Sequence, residues 1–111
     1  MHVRIFNRSA ITHYGNVHAA AREALRAWYS DALKAKWISP EDVRRQFPKA
    51  SAIAGNRVVF NILGNSFRLI VSFNYKFQAC YIKFFGTHAQ YDDVNAVTVD
   101  HTGAHHGKAR R

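Results

Sequence analysis

Residues 57–91 read RVVFNILGNSFRLIVSFNYKFQACYIKFFGTHAQY, three runs in which apolar and polar positions largely alternate. A period of two belongs to a strand with one face buried and the other free, and three such runs in succession predict adjacent strands of one sheet. Gly64-Asn65 between Ile62 and Phe67 has the chemistry of a tight hairpin turn. If Val58, Phe60 and Ile62 face the core, Arg57 and Asn61 look outward. On the second run Phe67, Leu69, Val71 and Phe73 share a face opposite Arg68, Ile70, Ser72 and Asn74. On the third, Cys80, Ile82 and Phe84 oppose Tyr81, Lys83 and Phe85. Arg57, Asn61, Arg68 and Lys83 then look out together, an arrangement that a one-residue bulge would scramble.

The first 56 residues supply the helices that cover this sheet. Residues 2–7 alternate and predict a short first strand. Ser9 suits the N-cap of a brief helical segment through Tyr14, which Gly15-Asn16 ends. Over residues 17–37, Ala21, Leu25, Trp28 and Ala32 fall at i, i+4, i+7 and i+11 and mark the buried face of a main helix. Trp28 belongs to that core stripe, whereas Trp37 is open between core and interface. Ser39-Pro40-Glu41-Asp42 starts a second helix, because Ser can cap, Pro suits the first helical position and acidic groups favour the positive end. Pro48 limits it, with Val43 and Phe47 as buried contacts. Residues 49–56 read as a loop. The predicted class is α+β: a small, antiparallel-rich sheet, made of an N-terminal strand and three consecutive C-terminal strands, packed on N-terminal helices.

With 111 residues the chain suits one domain over residues 1–100 whose core needs no disulfide. Residues 101–111, HTGAHHGKARR, hold no apolar side chain larger than alanine and predict a flexible basic tail. His101, His105 and His106 lie in that tail without cysteine or carboxylate partners, so no metal site is expected, and no cofactor. The single cysteine, Cys80, reads as a small buried hydrophobe and suits a reducing compartment. No apolar run reaches the roughly 20 residues that cross a bilayer, and the first residues lack a signal-peptide core. A soluble cytoplasmic protein is therefore expected. Sixteen Lys and Arg against seven Asp and Glu give a formal charge of +9, which favours a polyanionic partner, nucleic acid before an acidic protein or a membrane surface.

Three stretches, RVVFNILGNSFRLIVSFNY, YIKFFGTHAQYD and AWYSDALKAKWISPEDVRRQFPKA, together resemble the HigB toxin family of the RelE/ParE superfamily, in order and over about residues 3–95. The resemblance implies a toxin of a type II toxin–antitoxin pair: an endoribonuclease that cleaves mRNA, generally on the translating ribosome. It also implies a cognate helix-turn-helix antitoxin of the HigA kind. The superfamily places its RNA site on the open sheet face, with strand cations and a His or Tyr near the C-terminal end. Arg68, Lys83, His88 and Tyr91 match that layout. The ParE branch inhibits gyrase without cutting RNA, so a non-enzymatic inhibitor of a protein target stays open as an alternative, as does a simple RNA- or DNA-binding module.

The chemistry of these side chains suits metal-free RNA scission. That reaction needs a base for the 2′-hydroxyl, an acid for the departing 5′-oxygen and positive charge for the phosphorane, and leaves a 2′,3′-cyclic phosphate. An imidazole titrates near 6.5 in water, so His88 suits base or acid. Tyr91 suits a proton donor or a stacking ring. Arg68 offers a bidentate phosphate contact and Lys83 a point charge. Asn61 is a candidate RNA contact, and Arg57, Lys76, Arg22 and Arg26 are candidates for a general field that docks ribosomal RNA. The plainer readings are a turn cap for His88, a lid on the core edge for Tyr91, and ordinary solvated strand residues for Arg68 and Lys83.

Overall fold

The computed structural model describes residues 3–101. Its five-stranded sheet is built from β1 (Arg4–Phe6), β2 (Ser51–Ile53), β3 (Arg57–Ile62), β4 (Phe67–Asn74) and β5 (Ala79–Thr87), in the spatial order β1-β5-β4-β3-β2. β1 runs parallel to β5 and every other pairing is antiparallel. Helices α1 (Arg8–Val17), α2 (Arg22–Leu33) and α3 (Pro40–Gln46) precede most of the sheet, and α4 (His88–Asp92) follows β5 directly. The expected α+β architecture is the one observed.

One face of the sheet carries the main core. Val58, Phe60 and Ile62 of β3, together with Phe67, Leu69, Val71 and Phe73 of β4, meet Leu25, Trp28 and Ala32 of α2. Phe60 is the hub: its ring lies 5.3 Å from Trp28, 5.1 Å from Phe47 and 6.1 Å from Trp37. Trp37 is thus a core residue, and its indole Nε1 donates to Gln46 Oε1 at 3.1 Å. Cys80 is buried, which pushes its thiol well above the ordinary range. α3 begins at Pro40 as the sequence suggests, but the capping contact comes from Asp42, whose carboxylate accepts from the Ile38 N–H at 2.9 Å.

Several expectations need correction, each for a local reason. α1 starts two residues earlier, with Asn7 rather than Ser9 at the N-cap and in the left-handed region at φ 68°, and continues through Gly15 and Asn16 to Val17. A helical glycine costs about 1 kcal/mol relative to alanine. Burial of Ala10, Ile11 and Tyr14 outweighs that, and Gly15 faces the Arg22 side chain, where a Cβ would lie 3.3 Å from Cγ. The main helix is shorter than residues 17–37. The chain leaves helical geometry at His18, whose ring meets Phe67 and Phe85 edge-on, makes a 3-10 turn at Ala19–Ala21, and then enters α2. Residues 49–56 are not all loop: β2 forms there as an edge strand, with Ser51 and Ala52 exposed, so no alternation announced it.

The most consequential difference is a bulge. Ile70 pairs with Phe84 but Val71 pairs with Ile82, which leaves Lys83 as the extra residue of β5. Past the bulge the faces exchange, so Phe85, not Phe84, joins Cys80 and Ile82 in the main core. Phe84 joins Val59 and Ile70 on the opposite face, where Tyr91, Val94, Ala96 and Val99 pack over them. The face expected to be open is therefore covered at its middle by the segment after α4.

Candidate functional site

The loop 63–66 and the start of α4 form one corner of this covered face. Thr87 caps α4 in both directions: its Oγ1 accepts from Gln90 N at 3.1 Å, and its own N–H donates to Gln90 Oε1 at 2.8 Å. The His88 N–H donates to Ser66 O at 3.0 Å and ties the helix to the β3–β4 loop. Gly86 makes this geometry possible, since a Cβ there would stand 2.6 Å from Gln90 Oε1 and 2.9 Å from the Phe84 ring. Gly86→Ala is expected to break the capping box and lower stability by about 1–3 kcal/mol through overpacking. Urea denaturation checks this, and an unchanged midpoint would contradict it.

Arg68 points along the same corner. Its Nη1 donates to Asn65 O at 3.1 Å and to Phe67 O at 3.2 Å, its Nη2 to Asn65 Oδ1 at 2.8 Å, and its guanidinium carbon lies 5.8 Å from the Tyr91 ring centroid. The guanidinium is thus fixed by loop 63–66 and spread over Tyr91, with Nε–H and the second Nη2–H left for a ligand. His88 is 47% exposed through its side chain, and its Nδ1 lies 3.3 Å from Asp92 Oδ2, one helical turn on. Asp92 holds the imidazole by Nδ1, the nitrogen that faces its carboxylate. Tyr91 does two things at once, covering the Phe84–Ile70 cluster and carrying Arg68.

The other candidates fall elsewhere. Lys83, at the bulge, is not beside Arg68: its Nζ is 3.2 Å from Asp100 Oδ2 and 5.8 Å from the Tyr81 ring, and its side chain is only 21% exposed. Arg57 does not face solvent with it. Its Nη1 donates to Ala96 O at 3.0 Å and Val99 O at 2.7 Å, so it clasps the covering segment; burial lowers its pKa against the opposing pull of Asp100. Asn61 is the cross-strand partner of Arg68 and lines a cavity of about 350 Å³ with Phe47, Pro48, Lys49 and Gly64. Lys76 sits over Phe77 in the turn before β5. Arg22 and Arg26 lie on the helical side, along grooves between α1 and α2, with Arg26 4.0 Å from Glu23. His101 is built into the fold, its N–H on Lys83 O at 2.8 Å and its ring 4.9 Å from Phe84; His105, His106 and the rest of the tail lie outside the described residues.

Asn65 and Asp92 complete the corner although sequence reasoning did not single them out. Asp92 was visible as the i+4 partner of His88 in HAQYD, and Asn65 only as a turn residue. The Arg57 clasp had no signal, because it joins residues 39 and 42 positions apart.

No helix among the described residues is long and apolar enough to cross a membrane. No curated protein is similar enough to the chain to be counted as a relative. The family model of the HigB toxin, a RelE-like toxic component of a toxin–antitoxin system, matches residues 21–94, from the end of the 3-10 turn through α4 and just beyond. That span takes in Arg68, the capped turn at Thr87, His88 and Tyr91, and the chain belongs to the HigB toxin family.

Proposed function

We propose that this toxin is a metal-independent endoribonuclease that cuts mRNA on the translating ribosome in the cytoplasm and is silenced by a helix-turn-helix antitoxin of the HigA type. The observation that carries the reading is the corner at loop 63–66, where a fixed guanidinium, an exposed imidazole and a phenol ring are grouped. His88, oriented by Asp92, takes the proton of the 2′-hydroxyl through Nε2. The freed oxygen attacks phosphorus, and the bond from phosphorus to the 5′-oxygen breaks. Tyr91 protonates that leaving oxygen, so the products are a 2′,3′-cyclic phosphate and a 5′-hydroxyl. Arg68 holds two phosphate oxygens through its remaining N–H groups and offsets the charge that builds on them. Arg22, Arg26 and Lys76, with the net charge of +9, add a field that attracts ribosomal RNA. Lys83 and Arg57 hold the covering segment in this scheme.

Induced expression followed by primer extension on cellular transcripts tests the reading. New 5′ ends within translated frames are expected as growth stops. Growth arrest with intact transcripts and altered DNA supercoiling would instead favour an inhibitor of a protein target such as gyrase.

A further inference from the structure

Away from that corner, the parallel pairing of β1 with β5 sets Phe6 directly opposite Tyr81. Their rings stack with centroids 4.8 Å apart and planes 11° from parallel. Both remain open to solvent, Phe6 by 40% on the edge strand and Tyr81 by 37% on its neighbour β5, although Ile5 and Cys80 one residue before them are buried. Cations flank the pair on each side: the Arg4 guanidinium lies 5.8 Å from the Phe6 ring, and the Lys83 ammonium 5.8 Å from the Tyr81 ring. In the turn just before β5, Phe77 is 60% exposed with Lys76 5.5 Å from its ring. Aromatic faces and cations thus recur together along this edge of the sheet.

We infer that Phe6 and Tyr81, with Arg4, Lys76 and Phe77, form a stacking platform for single-stranded RNA. The inference deepens the ribonuclease reading and rests on it for the choice of RNA. A base extends the ring stack at its Phe6 end, because every base presents a π face, and the Arg4 guanidinium it displaces from that ring meets the adjoining phosphate. Duplex RNA cannot use the platform, since its bases are already stacked and paired. A protein partner fits less well, because covering this edge would desolvate three cations of which only Lys83 has a carboxylate, Asp100, in an ion pair among the described residues. Tyr81 lies five residues before Gly86, about 16 Å along β5 at the usual strand rise. The platform therefore holds nucleotides that flank the cut one and leaves the scissile phosphate to Arg68 and His88.

Binding of a short 2′-O-methyl RNA strand, followed by fluorescence anisotropy, tests this without any need for cleavage. Phe6→Leu/Tyr81→Leu keeps apolar bulk and charge, and is expected to bind the single strand about tenfold more weakly while its affinity for a duplex of equal length is unchanged. Tyr81→Trp, with a larger ring, retains or tightens single-strand binding. The melting temperature of each variant separates loss of stacking from loss of fold. Unchanged single-strand affinity in the double leucine variant overturns the platform, and so does an equal loss for the duplex. Wild-type protein that binds the strand but leaves ordinary mRNA uncut would refute the nuclease and leave the platform standing.

Discussion

His88→Ala is expected to slow RNA cleavage by about 10²-fold or more, the usual contribution of one positioned acid or base. The fold should survive. The helix anchor at this position is the backbone N–H on Ser66 O, which alanine keeps, and the lost side-chain contact is an exposed pair with Asp92. Such pairs stabilise by about 0.3–0.5 kcal/mol at most. The Thr87–Gln90 capping box is untouched. Cleavage rates on a defined transcript, taken beside thermal unfolding of the same samples, separate the two effects. Full activity in the variant would remove His88 from the mechanism.

Phe60→Ala is expected to cost about 3–5 kcal/mol, the range for deleting a buried aromatic ring. The ring is 1% exposed and touches the rings of Trp28, Trp37 and Phe47, which come from α2, the connection after it and the end of α3. No neighbouring ring is free to fill the space, because Trp37 is also packed on Phe73 and held by Gln46. The loss matters for the site, since β3 carries Asn61 and leads into the loop that fixes Arg68. The shift of the urea midpoint measures it, and a shift corresponding to less than about 1 kcal/mol would contradict this description of the core.

These two positions show what a one-dimensional pattern can convey. Phe60 was legible because β3 pairs with β4 without a bulge, so Val58, Phe60 and Ile62 keep one face, and the α2 stripe at Leu25, Trp28 and Ala32 because helical spacing is local. The exchange of Phe84 and Phe85 was not, because both are phenylalanine and the bulge at Lys83 is set by pairing with β4. Nor was the fate of the expected cationic face. Arg57 and Lys83 look like free cations in sequence, yet Ala96, Val99 and Asp100 return from the chain end to engage them. Arg68 stayed at the surface because its partners lie three residues and one residue away, in its own turn. The stacked pair of Phe6 and Tyr81 depends on a parallel pairing between the first strand and the last, which no local signal announces.

If RNA is cut through its own 2′-hydroxyl at the Arg68–His88–Tyr91 corner, the 2′-oxygen of the cut nucleotide is indispensable. The most direct measurement uses a ribosome-bound message with a single 2′-deoxy nucleotide at a mapped cleavage position. Ordinary message is expected to be cut to leave a 2′,3′-cyclic phosphate, and the deoxy message to stay intact at that position. Cleavage of the deoxy message at the wild-type rate, or products with a free 3′-hydroxyl, would contradict that route.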